Sequence, residues 1–304
     1  MSALSITDAA QATAQMRVIL AEPPRFAPAS AAAVRAVLDY VAAGQIQASV
    51  VTASGDLGPI LVMNIPGRAS VLMIPEPGTL GTTRDDVRVT LDAWTSSNSF
   101  QQLYFAQALT EPGARGRSDL LTQCGFQQLT ELHYLHRDAS YPWIEPDAKA
   151  EFVPFSDANA ALFTACVAES YADSQDFPEL TGLRPTDAAL ESHRAAGEFR
   201  ASFWQVLLRQ GEPAGCLLLA AHPSAGLAEV AYLGVRPAHR RAGVGTLLVA
   251  RALQLARAAR LRRVTLVVDA RNSAARALYA QLGFTSFATR MAHLRVTGSG
   301  LACG

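Results

Sequence analysis

Val235-Arg236-Pro237-Ala238-His239-Arg240-Arg241-Ala242-Gly243-Val244-Gly245-Thr246 is the stretch that decides the fold. The run before it, 227–235, is apolar and reads as a strand. The alanine- and leucine-rich run behind it, 244–260, reads as a helix with Leu248, Ala252, Leu255 and Ala259 on one face. Gly243 and Gly245 let the backbone bend tightly and let its amides approach a ligand. The helix start points unsatisfied N–H groups and the positive end of its dipole at the same spot. Strand, glycine turn and helix in this order make an anion site, most naturally for a pyrophosphate, although a plain strand-to-helix turn has the same outline. A nucleotide P-loop needs Gly-Lys-Ser/Thr, which is missing, and only two of the three glycines of a dinucleotide fingerprint are present.

A second segment follows. Residues 264–268 are a nearly continuous apolar run, the pattern of a strand buried on both faces. After it comes Asp269-Ala-Arg271-Asn272-Ser-Ala-Ala275-Arg-Ala-Leu278-Tyr279-Ala-Gln-Leu-Gly283-Phe284. Asn272 precedes a helix over 273–282, where an amide side chain either caps the helix or holds a ligand. Tyr279 lies two turns along the same face, as a core-edge aromatic or as a second wall of one extended site.

Taken together, Arg240-x-x-Gly243-x-Gly245 and Asn272-x-x-Ala275-x-x-Leu278-Tyr279-x-x-x-Gly283-Phe284 resemble the two signatures of the GNAT N-acetyltransferases. The resemblance implies an α/β fold, an α+β mixed sheet, and acetyl-CoA as co-substrate with no metal. It implies that backbone groups at Leu233, Gly234 and Val235 align the pantetheine arm. Arg240, Arg241, Ala242, Gly243, Val244, Gly245 and Thr246 would hold the pyrophosphate, and Asn272 and Ala275 would touch the same cofactor. Tyr279 is the general acid it implies, and Glu229 the general base. Glu229 competes evenly with the reading of an exposed strand carboxylate; strand alternation puts it on one face with Ala231, Leu233 and Val235.

Composition sets the frame. The 304 residues carry a net formal charge of +0, 50% hydrophobic and 17% charged residues, a globular balance long enough for two domains. Neutrality gives no argument for nucleic acid or for a membrane surface. No apolar run approaches the roughly 18 residues of a membrane span. Cys124, Cys166, Cys216 and Cys303 are unpatterned, so neither zinc nor a disulfide framework is indicated. Reduced thiols and the lack of a signal-peptide pattern point to the cytoplasm. Lys149 is the sole lysine among many arginines, the composition of a high-GC, bacterial genome. Homodimerisation is left open.

The chain reads as the same order of elements twice. In the first half, strands are expected at 16–20, 47–52, 60–64, 70–75, 103–109 and 127–136. Helices are expected at 31–43, with Ser30 as cap and Gly44 as stop, at 83–95 and at 118–124. The second half has strands at 151–154, 203–208, 215–221, 227–235, 264–268 and 291–296, and helices at 157–171, 185–196, 244–260 and 273–282. Leu120-Leu-Thr-Gln-Cys-Gly125-Phe126 parallels Leu278-Tyr-Ala-Gln-Leu-Gly283-Phe284. The expectation is two tandem acyl-CoA N-acyltransferase (GNAT) domains: 1–140 degenerate, 141–150 a linker, 151–304 catalytic. The layout is similar to that of the mycothiol synthases, which does not fix the acceptor. The first half lacks the motif. Glu76-Pro-Gly78-Thr-Leu-Gly81 stands where the glycine turn should be, Leu121 matches Tyr279, and Ala114 matches Asn272.

The acceptor side is less legible. Residues 169–184 form an acidic loop that would suit a cationic amine or be merely solvated. His193 and His239 read as surface residues. The activity implied is direct acetyl transfer to a primary amine, small molecule or protein, in a ternary complex; the alternative is a non-catalytic acyl-CoA-binding module.

Overall fold

The computed structural model describes residues 4–8, 19, 47–53, 58–78, 82–140 and 150–298. Of the expected strand at 16–20 only residue 19 is described, and it is helical; the expected helix at 31–43 and most of the linker lie outside the described residues. Two compact units divide the chain, and they do not follow chain order. Unit 1 is Met1–Glu131 with Arg290–Gly304, and unit 2 is Leu132–Thr289.

Unit 1 holds β1 (Ser5–Asp8), β2 (Gln47–Thr52), β3 (Ile60–Ile65), β4 (Ala69–Met73), α1 (Arg84–Thr95), α2 (Asn98–Gln101), β5 (Phe105–Thr110) and α3 (Arg115–Gln123). Strands β1 to β4 pair antiparallel in succession. Strand β5 runs parallel to β4 over Ala69–Leu72 and Phe105–Ala108, as a crossover through a helix requires. Helix α1 buries Val87, Leu91 and Trp94 against Ile60, Val62 and Leu72.

Unit 2 repeats that plan. It holds β7 (Glu151–Pro154), α4 (Ala160–Ser170), α5 (Thr186–Arg194), β8 (Trp204–Arg209), β9 (Glu212–His222), β10 (Leu227–Val235), α6 (Val244–Ala258), β11 (Arg263–Asp269) and α7 (Ser273–Gln281). Strands β7 to β10 are antiparallel in succession, and β11 is parallel to β10. One sheet face packs on α6 and α7 through Leu248, Leu253, Leu217, Val264 and Leu266. On the other face, Phe163, Cys166 and Val167 of α4 meet Trp204, Val206 and Leu218.

The remaining two strands exchange. Strand β6 (Gln127–Asp138) follows α3 in the chain, yet Leu132–Asp138 pairs with β11 of unit 2. Strand β12 (Thr285–Val296) follows α7, yet Met291–Val296 pairs with β5 of unit 1. Arginines at matching positions secure both transfers. Arg137 donates to the carbonyl of Leu282 at the end of α7, and Arg295 donates to the carbonyl of Cys124 at the end of α3. Each satisfies a carbonyl left over at a helix C-terminus. The helix exits match as well: Phe126 N–H donates to Leu121 O at 2.9 Å, and Phe284 N–H to Tyr279 O at 2.9 Å.

Candidate active site

Strands β10 and β11 pair only over Leu227–Val230 and Arg263–Leu266. Beyond that point β10 stays paired to β9 as far as Val235, while β11 continues beside β6. Among the described residues, the edge of 231–235 that turns toward β11 therefore has no ladder partner, and Leu233, Gly234 and Val235 lie on it. An irregularity between Val230 and Tyr232 accompanies the separation. A bulge of this kind bends its strand and resets alternation.

That reset corrects the expected facing of Glu229. Ala228 and Val230 pack into the core beneath α6, and after the bulge Leu233 and Val235 do so as well. Glu229 thus points to the opposite face from Leu233 and Val235. Its carboxylate lies 3.2 Å from Nε2 of His222, with 37% of the side chain exposed.

At the end of β10 the chain turns into α6. Arg241 has φ 61° and Gly243 has φ 79°, both left-handed. Gly243 is the N-cap of α6, and no described side chain caps the helix. The first N–H groups of Val244, Gly245 and Thr246 are left for a ligand, as helix geometry requires. Arg241, Ala242 and Gly243 are exposed. At Gly245 a Cβ would come within 2.9 Å of Cδ2 of Leu278, so a side chain there requires that of Leu278 to shift.

The matching helix start in unit 1 is closed to anions. Thr83 caps α1, its Oγ1 accepting from Asp86 N–H at 3.2 Å, and Asp86 Oδ2 accepts from Thr83 N–H at 2.8 Å. Asp85 and Asp86 place negative charge in the first turn, where a phosphate would need positive potential.

Arg240 spans from the turn to the end of α4. Its guanidinium donates to Val235 O at 3.2 Å, Ser170 O at 3.2 Å and Ala172 O at 2.5 Å. The motif arginine thus ties strand end to loop, and its donors are engaged by carbonyls.

Asn272 does the work of a cap: its Oδ1 accepts from Ala275 N–H at 3.1 Å. Its side chain also bonds to Asp176, whose carboxyl accepts from Asp269 N–H at 2.9 Å. Asp269, 1% exposed, accepts from Phe177 N–H at 3.2 Å and is paired with Arg271. Arg271 also grips Glu179 through two nitrogens, at 2.5 and 2.8 Å. Glu169 is paired with Arg236. Three of the four carboxylates of the acidic loop latch it: Glu169, Asp176 and Glu179 are bound to unit 2's own arginines and amides, while Asp173 is exposed. Sequence reasoning missed Asp176 and Arg271, because no spacing rule joins residues from separate elements.

Tyr279 is 6% exposed, its ring 5.7 Å from that of Phe284. Burial, and then the nearby Asp176 carboxylate, push its phenol well above the ordinary range. His193 is corrected from surface to half-buried. Its Nε2 is sealed from solvent with no hydrogen-bond partner among the described residues, its ring stacks 5.3 Å from Tyr232, and burial lowers its pKa to about 3. Among the described residues no cluster of three His, Cys, Asp or Glu could hold a metal ion, and no helix is long and apolar enough to cross a membrane.

Comparison with known proteins agrees with this geometry. Residues 164–284 match the model of the acetyltransferase (GNAT) family. A mycothiol acetyltransferase of Streptomyces avermitilis is 33% identical over 138 residues, 45% of this chain and 42% of the relative, so the match spans less than half of that protein. A GCN5-related N-acetyltransferase from Sphaerobacter thermophilus has the same fold at TM-score 0.61 and 16% identity, over 96% of this chain and 95% of that one. A tandem GNAT protein from the clavulanic acid biosynthesis pathway aligns at TM-score 0.55 and 16% identity, over 97% of this chain and 99% of that one. Residues 164–284, which carry the motifs on β10, α6 and α7, are thus similar to the GNAT acetyltransferase family, and 97% of the chain shares the fold of a tandem GNAT protein.

Proposed function

We propose that unit 2 transfers an acetyl group from acetyl-CoA to a primary amine in a ternary complex, and that unit 1 braces it without binding acetyl-CoA. The observation that carries this reading is the contrast between the two helix starts. That of α6 is uncapped and exposed behind a glycine turn, while that of α1 is capped and doubly acidic. The free edge of 231–235 fits an extended pantetheine arm added like a strand, and the turn from Arg240 to Thr246 fits a pyrophosphate. Asn272 and Ala275 stand beside that path.

Acetyl-CoA supplies an acyl carbon activated as a thioester. Glu229 takes the proton that the amine sheds as its nitrogen bonds that carbon. Tyr279 returns a proton to the sulfur as the carbon–sulfur bond breaks. A phenol held above its ordinary pKa keeps its proton until a basic thiolate forms beside it. In this reading a backbone N–H near Val235 polarises the carbonyl.

The test is thiol release from acetyl-CoA over a panel of amines, including the acceptor of the mycothiol acetyltransferase that the chain resembles. Release dependent on one amine supports the transfer. Tight CoA binding with no release for any amine would identify a non-catalytic acyl-CoA-binding module instead.

A further inference from the structure

The face of the unit 2 sheet away from α6 and α7 is covered by α4 and α5 only over β8, β9 and the end of β10. Over β11 and β6 it carries a different surface. Glu229 stands opposite Thr265, Thr265 opposite His136, and Val267 opposite Tyr134. Their neighbours Val264, Leu266 and Leu135 point the other way, into the core. Phe287, from the first half of β12, leans on this row with ring centroids 6.2 Å from Tyr134 and 5.2 Å from His136. Among the described residues the exposed large hydrophobic side chains are Ile6, Val267 at 37% and Phe287 at 45%, so two of them meet here. Val267 lies just past Leu266, where β10 and β11 part. Arg263 and Asp138 stand opposite each other at the far end of the row.

Tyr134 and His136 are half-buried and Phe287 is exposed, and an aromatic cluster that reaches solvent on the face that also carries Glu229 offers a binding surface. Ring faces are electron-rich and attract an ammonium, while their area suits a flat apolar body. Burial, and then Arg263, lower the pKa of His136, so a neutral imidazole at neutral pH does not repel a cation. We infer that this shelf is the acceptor subsite, and that it takes a primary amine carried on a flat ring: the ring lies on Tyr134, His136 and Phe287, and the amine reaches Glu229, one residue short of the last pair before β10 and β11 part. The inference rests on the acetyl-transfer reading for the role of Glu229, but the shelf is testable without turnover.

The probes are 2-phenylethylamine and n-hexylamine, titrated by calorimetry into the full chain saturated with CoA. Stacking should favour the ring-bearing amine by about fivefold, in line with aromatic contacts of roughly 1 kcal/mol. Phe287→Ala, at an exposed side chain, should erase that preference and leave CoA affinity unchanged. Equal affinity of the two amines, or a preference that survives both Phe287→Ala and Tyr134→Ala, would overturn the shelf. Ring-selective binding without thiol release for any amine would keep the shelf and sink the transfer reading. Thiol release with no ring preference would do the reverse.

Discussion

Tyr279 sits where its phenol is desolvated and faces Asp176, and both effects hold its proton in place. Replacing it with Phe keeps the ring contact with Phe284 and removes the donor. Turnover should fall about 100-fold, the usual worth of a positioned acid, with CoA affinity unchanged by titration; undiminished turnover would remove Tyr279 from that role. His193 gives a pH signature instead. Its pKa is near 6.5 in the unfolded chain and about 3 in the fold. Between those values the unfolded state binds more protons, so stability falls as pH drops from about 6.5 toward 3. His193→Phe removes the titrating ring, and its acid unfolding midpoint, followed by circular dichroism, should lie at lower pH than that of the natural protein. Neither environment was legible in the sequence. Tyr279 could be named from its motif, but a lone histidine in a helix carries no sign of what packs over it. Glu229 could be placed on its strand but not on its face, because one bulged residue inverts alternation.

The elements were more legible than their partners. Strand β10, the glycine turn and α6 follow from apolar runs broken by Gly243 and Gly245, and α7 from the Asn272 cap and the Gly283 stop. Periodicity and punctuation are local properties, so a single sequence shows them. The acidic loop is the opposite case. Three of its four carboxylates are spent on Arg236, Arg271 and the amide of Asp269, partners far along the chain. The α6 turn yields a prediction at this scale. Gly245→Val makes the Leu278 side chain turn aside and sets a branched side chain in the first turn of α6, against the amides that would meet the anion. CoA should bind at least about tenfold more weakly, since a site of converging amides loses its aim. Fluorescence titration would read it; unaltered affinity would mean that the pyrophosphate does not lie at this turn.

For the molecule as a whole, duplication was readable from the paired Gly125-Phe126 and Gly283-Phe284, and exchange was not. Strands β6 and β12 each read as the last strand of their own half, since pairing partners leave no trace in a strand's own pattern. A fragment ending at residue 140 lacks β12, and one starting at 150 lacks β6. Each should be insoluble or partly unfolded alone, and co-expression of the two should restore a soluble pair that binds CoA. A well-folded 150–304 fragment, shown by sharp amide dispersion in NMR, would contradict the exchange. Tight CoA binding by a 1–140 fragment would overturn the passive role given to unit 1.

The reciprocal strands also bear on how the protein is made. Synthesis delivers β6 early, but its partner β11 emerges from the ribosome only after much of unit 2 has been built. During that interval Leu132 and Leu135, buried in the finished protein, have no β11 to lie against, and an unpaired apolar strand is a template for misassociation. Strand β5 meanwhile waits for β12, close to the end of the chain. Slowing translation across the second half should therefore lower the soluble yield rather than raise it, because it lengthens the wait of both open edges.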